Sequence, residues 1–537
     1  MSEPGTLLSC LERAAASGEG VRFLDRSEET TVLYRDVLER ARIVAGGLAA
    51  IGIEPGSPVA VAVPTGPSFY DAFFGVLAAG AAPLSLPLPP RFGSRRGFDD
   101  ELRASVKAVG ARLVLTDAVA RFRLPDLPVV ALRELPEAPP RLVEGDPDSI
   151  ALVQLSSGTT GTPKPIPLTH RQLLVNVRAI RDRILECYPK ERGYEHGGVS
   201  WLPLYHDMGL VGAVLTALAH PAPLTLMKPE EFVARPARWL QAISRYRATI
   251  SAAPHFAYEL AVERVRDDEL QGVDLSSWLL ALDGAEPVTA STLERFYRRF
   301  RAYGLRREAL TPVYGLAEAS LAVTFSDPDR SFTCRSFDGA ALVENGEAVE
   351  TAGGVEIVSS GKPVPGVDVE IADEDRERLS EGRVGRVLVR GPSITSEGVD
   401  AEGFLDTGDR GFLCDGELYL CGRSRDLLIL RGRNYAPEMI EEAVEGVSGL
   451  RAGAVAAVSL LGERGEGLCL LAERGFDLAP EDEERAIDEI RVLVVERCGV
   501  DPAVVFLDPG ALPRTSSGKI RRQEAARLFA GAETLRS

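Results

Sequence analysis

At 537 residues the chain is too long for one ordinary hydrophobic core, so two or more domains are expected. An apolar fraction of 45% and a charged fraction of 26% are those of a globular protein, and a net charge of −18 argues against a general binder of nucleic acid or anionic membrane. A local basic patch facing an acidic partner stays compatible with that balance. Seven scattered cysteines without CxxC spacing read as reduced residues of a cytoplasmic protein, neither a disulfide framework nor a zinc site. The amino terminus has no basic n-region, and no apolar run is long enough to span a bilayer.

Taken in chain order, residues 32–52 carry Val37, Ala41, Val44 and Leu48 at the spacing of an amphipathic helix. A strand (59–63), a helix (69–79), a strand (82–86), a helix (100–110) and the apolar stretch 112–115 follow. That alternation predicts parallel strands covered by helices, an α/β fold. The proline-rich PLSLPLPPRFGS, residues 83–94, reads as a surface turn.

Residues 150–170, IALVQLSSGTTGTPKPIPLTH, predict a short buried strand, then a loop of small hydroxylated residues closed by Lys164, then a helix over 171–185. Gly158 and Gly161 permit close backbone approach, and Ser156, Ser157, Thr159, Thr160 and Thr162 supply hydroxyls, a loop suited to a polyphosphate. It is not GxxxxGK[ST], because prolines flank Lys164. A flexible linker is the plain alternative. The strand before it and the helix after it argue otherwise.

Further on, VSWLPLYHDMGLVGAVLTAL (199–218) places His206 and Asp207 ahead of an apolar helix; a lone histidine on such a segment is usually a core residue. An extended stretch, 278–282, delivers Asp283, Gly284, Ala285, Glu286 and Pro287, which suits a ligand approaching the backbone or a plain turn. In TPVYGLAE, Tyr314 can stack on a purine, and Glu318 is the hard oxygen ligand that Mg²⁺ needs beside a triphosphate. A surface glutamate at a helix start would look the same in isolation. Residues 361–366 and 384–391 read as β-rich. An acidic glycine loop, Asp406-Thr407-Gly408-Asp409, then offers at Asp409 two acceptor oxygens for both ribose hydroxyls. Beyond GRSRD (422–426) a small α+β unit is expected: a strand (427–430), a helix opened by Pro437 (437–447), a strand (454–461) and a helix (481–498).

These segments together resemble the adenylate-forming enzymes: acyl- and aryl-CoA ligases, luciferases and nonribosomal-peptide adenylation domains. SSGTTGTPK resembles their phosphate-gripping motif, and PRTSSGKIRR (513–522) matches their final motif nearly letter for letter. AFFGVLAAGAAPLSLPLPP, WLPLYHDMGLVG, MKPEEFVARPARW and SAAPHFAYELAVERV point within the family to the fatty acyl-AMP ligases. At least five motifs fall in family order over essentially the full chain.

The resemblance implies a large N-terminal domain (1–424) of two α/β subdomains plus a β-barrel-like subdomain, with a small mobile C-terminal lid (425–537) hinged at Arg425. It implies ATP-dependent activation of a carboxylic, fatty, acid to an acyl-adenylate with release of pyrophosphate. In that reading Lys519 is the adenylation lysine, and His206 lies where the carboxylate meets the α-phosphate. Ser157, Gly158, Thr159, Thr160, Gly161 and Lys164 hold the phosphates. Gly284, Ala285 and Glu286 meet adenine through their backbone, beside Tyr314, Gly315 and Leu316. Asp409 and Arg423 hold ribose, and Glu318 with Thr160 holds Mg²⁺. The excursion 331–360 matches an insertion thought to disfavour free CoA. A phosphopantetheine thiol on a separate acyl carrier protein is therefore the expected acceptor, with free CoA as the alternative; no carrier domain follows residue 537. Three departures (Pro165, Asp283 where the family usually has Asn, and the abbreviated 393–404 segment without Gly-Tyr-Trp) leave open a homologue that binds without turnover. Intact Lys519, Glu318 and Asp409 weigh against it.

Overall fold

The computed structural model describes the chain except residues 1–2, 26–27, 90–95, 118, 120–121, 123, 125, 157–163, 190–192, 194, 425, 431–432, 463–464, 476–477, 480–481, 515–519 and 530–537. Two large sheets form the body. One runs Val129–Ala131, Val114–Thr116, Pro58–Ala62, Ala82–Ser85, Ile150–Ser156, Lys164–Thr169, parallel except for the last pair. The other has nine strands, with Leu310–Gly315, Leu280–Gly284, Ile250–Pro254, Gly198–Ser200, Leu224–Met227 and Gly20–Asp25 as its parallel centre.

Helices Tyr34–Ala50, Pro67–Ala78 and His170–Cys187 contribute to one continuous apolar cluster that also takes residues from both sheets. Pro67–Ala78 is buried along its length (Phe69, Tyr70, Phe73, Phe74), which fixes it as the packing centre of that cluster. Thr169 and Gln172 form a reciprocal cap that starts His170–Cys187 where the preceding strand ends.

An antiparallel meander, Asp368–Ala372, Gly385–Arg390, Leu405–Cys414 and Glu417–Arg423, follows the body. It stands where the β-barrel-like subdomain is expected. The small C-terminal α+β region stacks Pro437–Ala443, Glu483–Cys498 and Arg522–Phe529 on the sheet Leu450–Gly462, Gly465–Arg474, Ala503–Leu507. The excursion 331–360 forms the ladder Cys334–Phe337 with Val355–Val358; its Phe337, Val355 and Ile357 pack with Phe412 and Tyr419 of the meander and with Ala436 and Met439 of the C-terminal region. Among the described residues no helix is long and apolar enough to cross a membrane.

Several local expectations are corrected. The stretch that begins at Pro83 is no surface turn at its start: Pro83 and Leu84 are buried in the strand Ala82–Ser85. Ala82 and Leu86 donate to Ser57 O (3.0 Å) and Val61 O (2.9 Å), so the N–H that proline lacks falls on the other side. Asp406–Asp409 is not a free loop but part of the strand Leu405–Cys414. Asp406 pairs with Leu388 and Arg410 with Arg386, so 407–409 bulge out of the ladder, with Gly408 at φ 76°. The helix opened by Pro437 stops at Ala443, four residues early, and Gly465–Arg474 and Ala503–Leu507 were not anticipated as strands. Part of the terminal basic motif begins the helix Arg522–Phe529. There Arg522 forks onto both oxygens of Glu441 (2.8 and 2.7 Å) and reaches Glu438 (2.9 Å), tying two helices together.

Candidate active site

The C-terminal ends of the parallel strands open into one cavity of about 2250 Å³ between the body, the meander and the C-terminal region. Lys164, His206, Asp207, Ala285, Glu286, Tyr314, Gly315, Leu316, Glu318, Asp409 and Arg423 all line it. Six separated sequence motifs thus converge on one space. Ser157, Gly158, Thr159, Thr160, Gly161, Arg425 and Lys519 lie outside the described residues.

Lys164 opens the edge strand Lys164–Thr169 and pairs across the ladder with Ser156, so the residues that flank 157–163 are held on one rung. The outermost position of that strand also explains Pro165, which faces Leu155 where a missing donor on the free side costs little.

Two turns carry the backbone parts of the site. Gly284 ends its strand under Val313: a Cβ there would stand 2.7 Å from Val313 O. At Gly315 a Cβ would collide with Leu321 O, so only glycine permits this approach of the two segments. Ala285 at φ 68° and Ser320 at φ 67° hold left-handed conformations rare for residues with a side chain. Both sit in the motif turns. Gly284 does not itself line the cavity; Ala285 and Glu286 do, and the Glu286 carboxylate accepts from Phe256 N (3.0 Å).

Tyr314 rises from the strand Leu310–Gly315, nearly buried, and its hydroxyl donates to Asp409 Oδ2 (2.5 Å). Arg423 Nε donates to the other oxygen (3.2 Å). Burial first, then the Asp409 charge, hold the Tyr314 phenol well above its ordinary pKa, so it stays a donor. Asp409 is therefore preoriented by its neighbours, with one of these donors on each oxygen and two lone pairs on each oxygen to accept with.

Glu318 lies in the short turn Ala317–Ala319 after Leu316, half-buried, with its main-chain oxygen taken by Thr395 N (2.7 Å). Burial raises its carboxyl pKa, the Asp207 charge adds to this, and Lys164 and Arg423 oppose it. Asp207 Oδ1 caps the wide helical turn Met208–Leu215 through Met208 N (2.8 Å). Two neighbouring carboxylates facing a cavity fit a divalent cation completed by phosphate oxygens. Among the described residues no cluster of three or more His, Cys, Asp or Glu could hold a metal by itself.

One group of site neighbours was missed. Asp283, marked above only as a departure, is fully buried and pairs with His255 Nδ1 (2.7 Å). Burial pulls the imidazole pKa down, but the Asp283 charge and hydrogen bond outweigh it and raise it to about 9, helped by Glu445 and Glu259. His255 Nε2 meets Thr289 Oγ1 (3.0 Å), and Glu445 of the C-terminal region accepts from Thr289 (3.1 Å) and Thr292 (2.8 Å). Burial and the Glu445 charge raise Glu259 to about 7. The only sequence signal was the pair of polar residues, His255 and Asp283, each ending an apolar strand.

Two α/β sheets, a meander and a small α+β region around a cleft of phosphate-, ribose- and carboxylate-binding groups define a class. Residues 11–397 match the AMP-binding enzyme family, and the chain belongs to it: it is an ATP-dependent acid–AMP ligase. A solved structure from a study of fatty acyl-adenylate ligases of E. coli and L. pneumophila is similar at TM-score 0.89 and 33% identity, covering 98% of each chain. The medium-chain-fatty-acid–[acyl-carrier-protein] ligase of Moorena producens is 32% identical, over 97% of this chain and 95% of the relative. A protein of Caulobacter vibrioides, provisionally named an acyl-CoA synthetase, is 34% identical over 98% and 95%. The reaction is adenylation of a carboxylic acid.

Proposed function

We propose that the chain activates a fatty acid and then passes the acyl group to the phosphopantetheine thiol of an acyl carrier protein. The observation that supports this best is the continuity of the cavity. The Tyr314–Asp409–Arg423 cluster, His206 and the small or apolar residues Met208, Gly212, Ala213 and Ala217 all border the same space. The Moorena relative, a carrier-protein ligase by name, favours the carrier as acceptor.

In this reading ATP lies with adenine against Ala285 and Glu286, ribose at Asp409 and Arg423, and phosphates between Lys164 and residues 157–161. Glu318 and Thr160 hold Mg²⁺, which screens the phosphate charge. The substrate carboxylate, brought past His206, attacks the α-phosphorus as pyrophosphate leaves. The protein contributes alignment and charge, not covalent chemistry. Lys519 supplies the cation at the bridging oxygen. The part after Arg425 (425–537) acts as a lid over the body (1–424). Glu438, Met439, Arg514 and Arg522 of that part border the same cavity. Rotation about Arg425 withdraws Lys519 and admits the thiol, two chemistries in one cleft.

Acid-dependent ATP–pyrophosphate exchange, followed by loading of holo-carrier protein against free CoA, tests the scheme. Loading of the carrier with little CoA product is expected. Strong turnover with CoA, the activity named for the Caulobacter relative, would replace the carrier in this reading.

A further inference from the structure

The turn that carries Ala285 and Glu286 is held from outside by one helix. After the strand Leu280–Gly284 the chain passes through Ala285 at φ 68°, a conformation alanine rarely adopts. A residue with a side chain keeps such a backbone only where its surroundings over-determine it. Those surroundings are the first turn of the helix His255–Arg264, which follows the neighbouring parallel strand Ile250–Pro254.

That helix has no side-chain cap of its own. Pro254 stands at its N-cap, so the amides of its first turn need partners from elsewhere. The Phe256 N–H donates to the Glu286 carboxylate (3.0 Å). One residue earlier, the His255 ring spans the two ends of the turn. Its Nδ1 donates to Asp283 Oδ2 (2.7 Å) ahead of Ala285, and its Nε2 meets Thr289 beyond Pro287. The second contact does not depend on the charge of the ring. A protonated Nε2 donates to Thr289 Oγ1 (3.0 Å), and a neutral one accepts from the Thr289 N–H (3.2 Å). Three residues further along the helix, the Tyr258 hydroxyl donates to Leu282 O (3.0 Å), outside the span that His255 bridges. Asp283 is fully buried and His255 nearly so. A buried charged pair is a poor device for packing alone, since apolar side chains of similar volume fill such space at no less stability. What this pair adds is geometry: one rigid ring joined to both sides of Ala285.

We infer that His255 is a positioning residue for adenylation: by bridging Asp283 and Thr289 it fixes the shape of residues 284–288, and with it the discrimination of the purine ring. The inference rests on the proposed reading, in which adenine lies against Ala285 and Glu286. His255 acts through the backbone of the turn and not on the reacting atoms. Its loss therefore shows in the choice and binding of nucleotide, not in the binding of acid.

The test is acid-dependent exchange of pyrophosphate into ATP and into inosine triphosphate, which carries an oxygen in place of the adenine amino group. It is run on the wild type, His255→Leu, His255→Gln and Tyr258→Phe. Leucine bonds neither end of the turn; glutamine keeps a donor for Asp283, so that carboxylate is not left alone, but gives up the second end. In wild type, kcat/KM for ATP should exceed that for inosine triphosphate by roughly tenfold or more. Both His255 substitutions should bring that ratio toward one and raise KM for ATP, with KM for the acid unchanged. Tyr258→Phe removes another buried hydrogen bond of the same helical turn and should keep the wild-type ratio. Because each ratio is taken within one preparation, it does not depend on the fraction of variant that folds, and His255→Gln alone decides if His255→Leu does not fold. A ratio untouched in His255→Gln, an equal loss in Tyr258→Phe, or a KM for acid that rises as much as that for ATP overturns the inference and leaves the adenine reading standing. A wild type that does not distinguish the two nucleotides overturns that reading as well.

Discussion

The two ends of the cavity are built on different principles. The nucleotide end is assembled from short motifs at strand termini, and its polar groups are already paired with one another: Tyr314 and Arg423 on Asp409, His255 on Asp283. The side that we assign to the acyl chain is bordered mainly by small and apolar side chains, among them Met208, Gly212, Ala213 and Ala217 of one helical run. A preorganised polar end loses affinity and stability when any one partner goes, since the remaining charge is stranded. A passage lined by small residues changes what fits, and little else.

That contrast can be broken at several points. The largest effect is expected under the nucleotide end. Asp283→Ala takes away the buried partner of His255, whose ring must then give up its proton or stay charged without it, and should lower unfolding free energy by about 3–5 kcal/mol in urea titrations. The same pair sets a pH dependence. The folded pKa of His255, about 9, lies above its ordinary 6.5, so its contribution is complete below pH 6.5 and is lost as pH rises through about 9. Glu259, raised from 4.5 to about 7, acts in the same direction over the lower interval. Stability should therefore fall between about pH 6.5 and pH 9.5 in wild type, and Asp283→Asn should flatten that fall; below pH 6.5 the depressed His170 and His220 oppose Glu259.

Next, Lys519→Ala should slow pyrophosphate exchange by roughly 10²–10³, about 3–4 kcal/mol of barrier, with acid binding far less affected. A variant as fast as wild type would remove this lysine from the chemistry. Asp409→Asn should raise the KM for ATP by about 1.5–3 kcal/mol in binding, the worth of hydrogen bonds to a charged group, and leave preference among acids unchanged. Gly212→Val should do the reverse. A Cβ at Gly212 already stands 3.0 Å from Leu321, so the added bulk narrows the passage. Long acids should lose about 1–3 kcal/mol in kcat/KM against short ones, at constant KM for ATP.

The same division governs what was legible beforehand. Tyr314, Glu318, Asp409 and Lys164 were readable because each belongs to a few contiguous residues whose chemistry needs no distant neighbour. Helices with a clear apolar stripe, such as Tyr34–Ala50, were readable for the same reason. What escaped was tertiary. Asp283 looked like a flaw until His255, 28 residues earlier, was brought against it. Pro83 looked like a turn because the missing donor can be located only when the neighbouring strands are known. Arg13 gave no hint that it borders the cavity, since only folding brings it to Ala219, 206 residues on.

Pro165 sits at a hairpin neck, and that neck constrains more than its own strand. Ser156 and Lys164 are paired on one rung, so the chain leaves the sheet and returns to it at one place. An insertion or deletion between these two residues leaves that point of exit and return unchanged, because the ladder fixes it. Relatives with longer or shorter tips could thus share one anchoring geometry and differ mainly in how tightly they grasp.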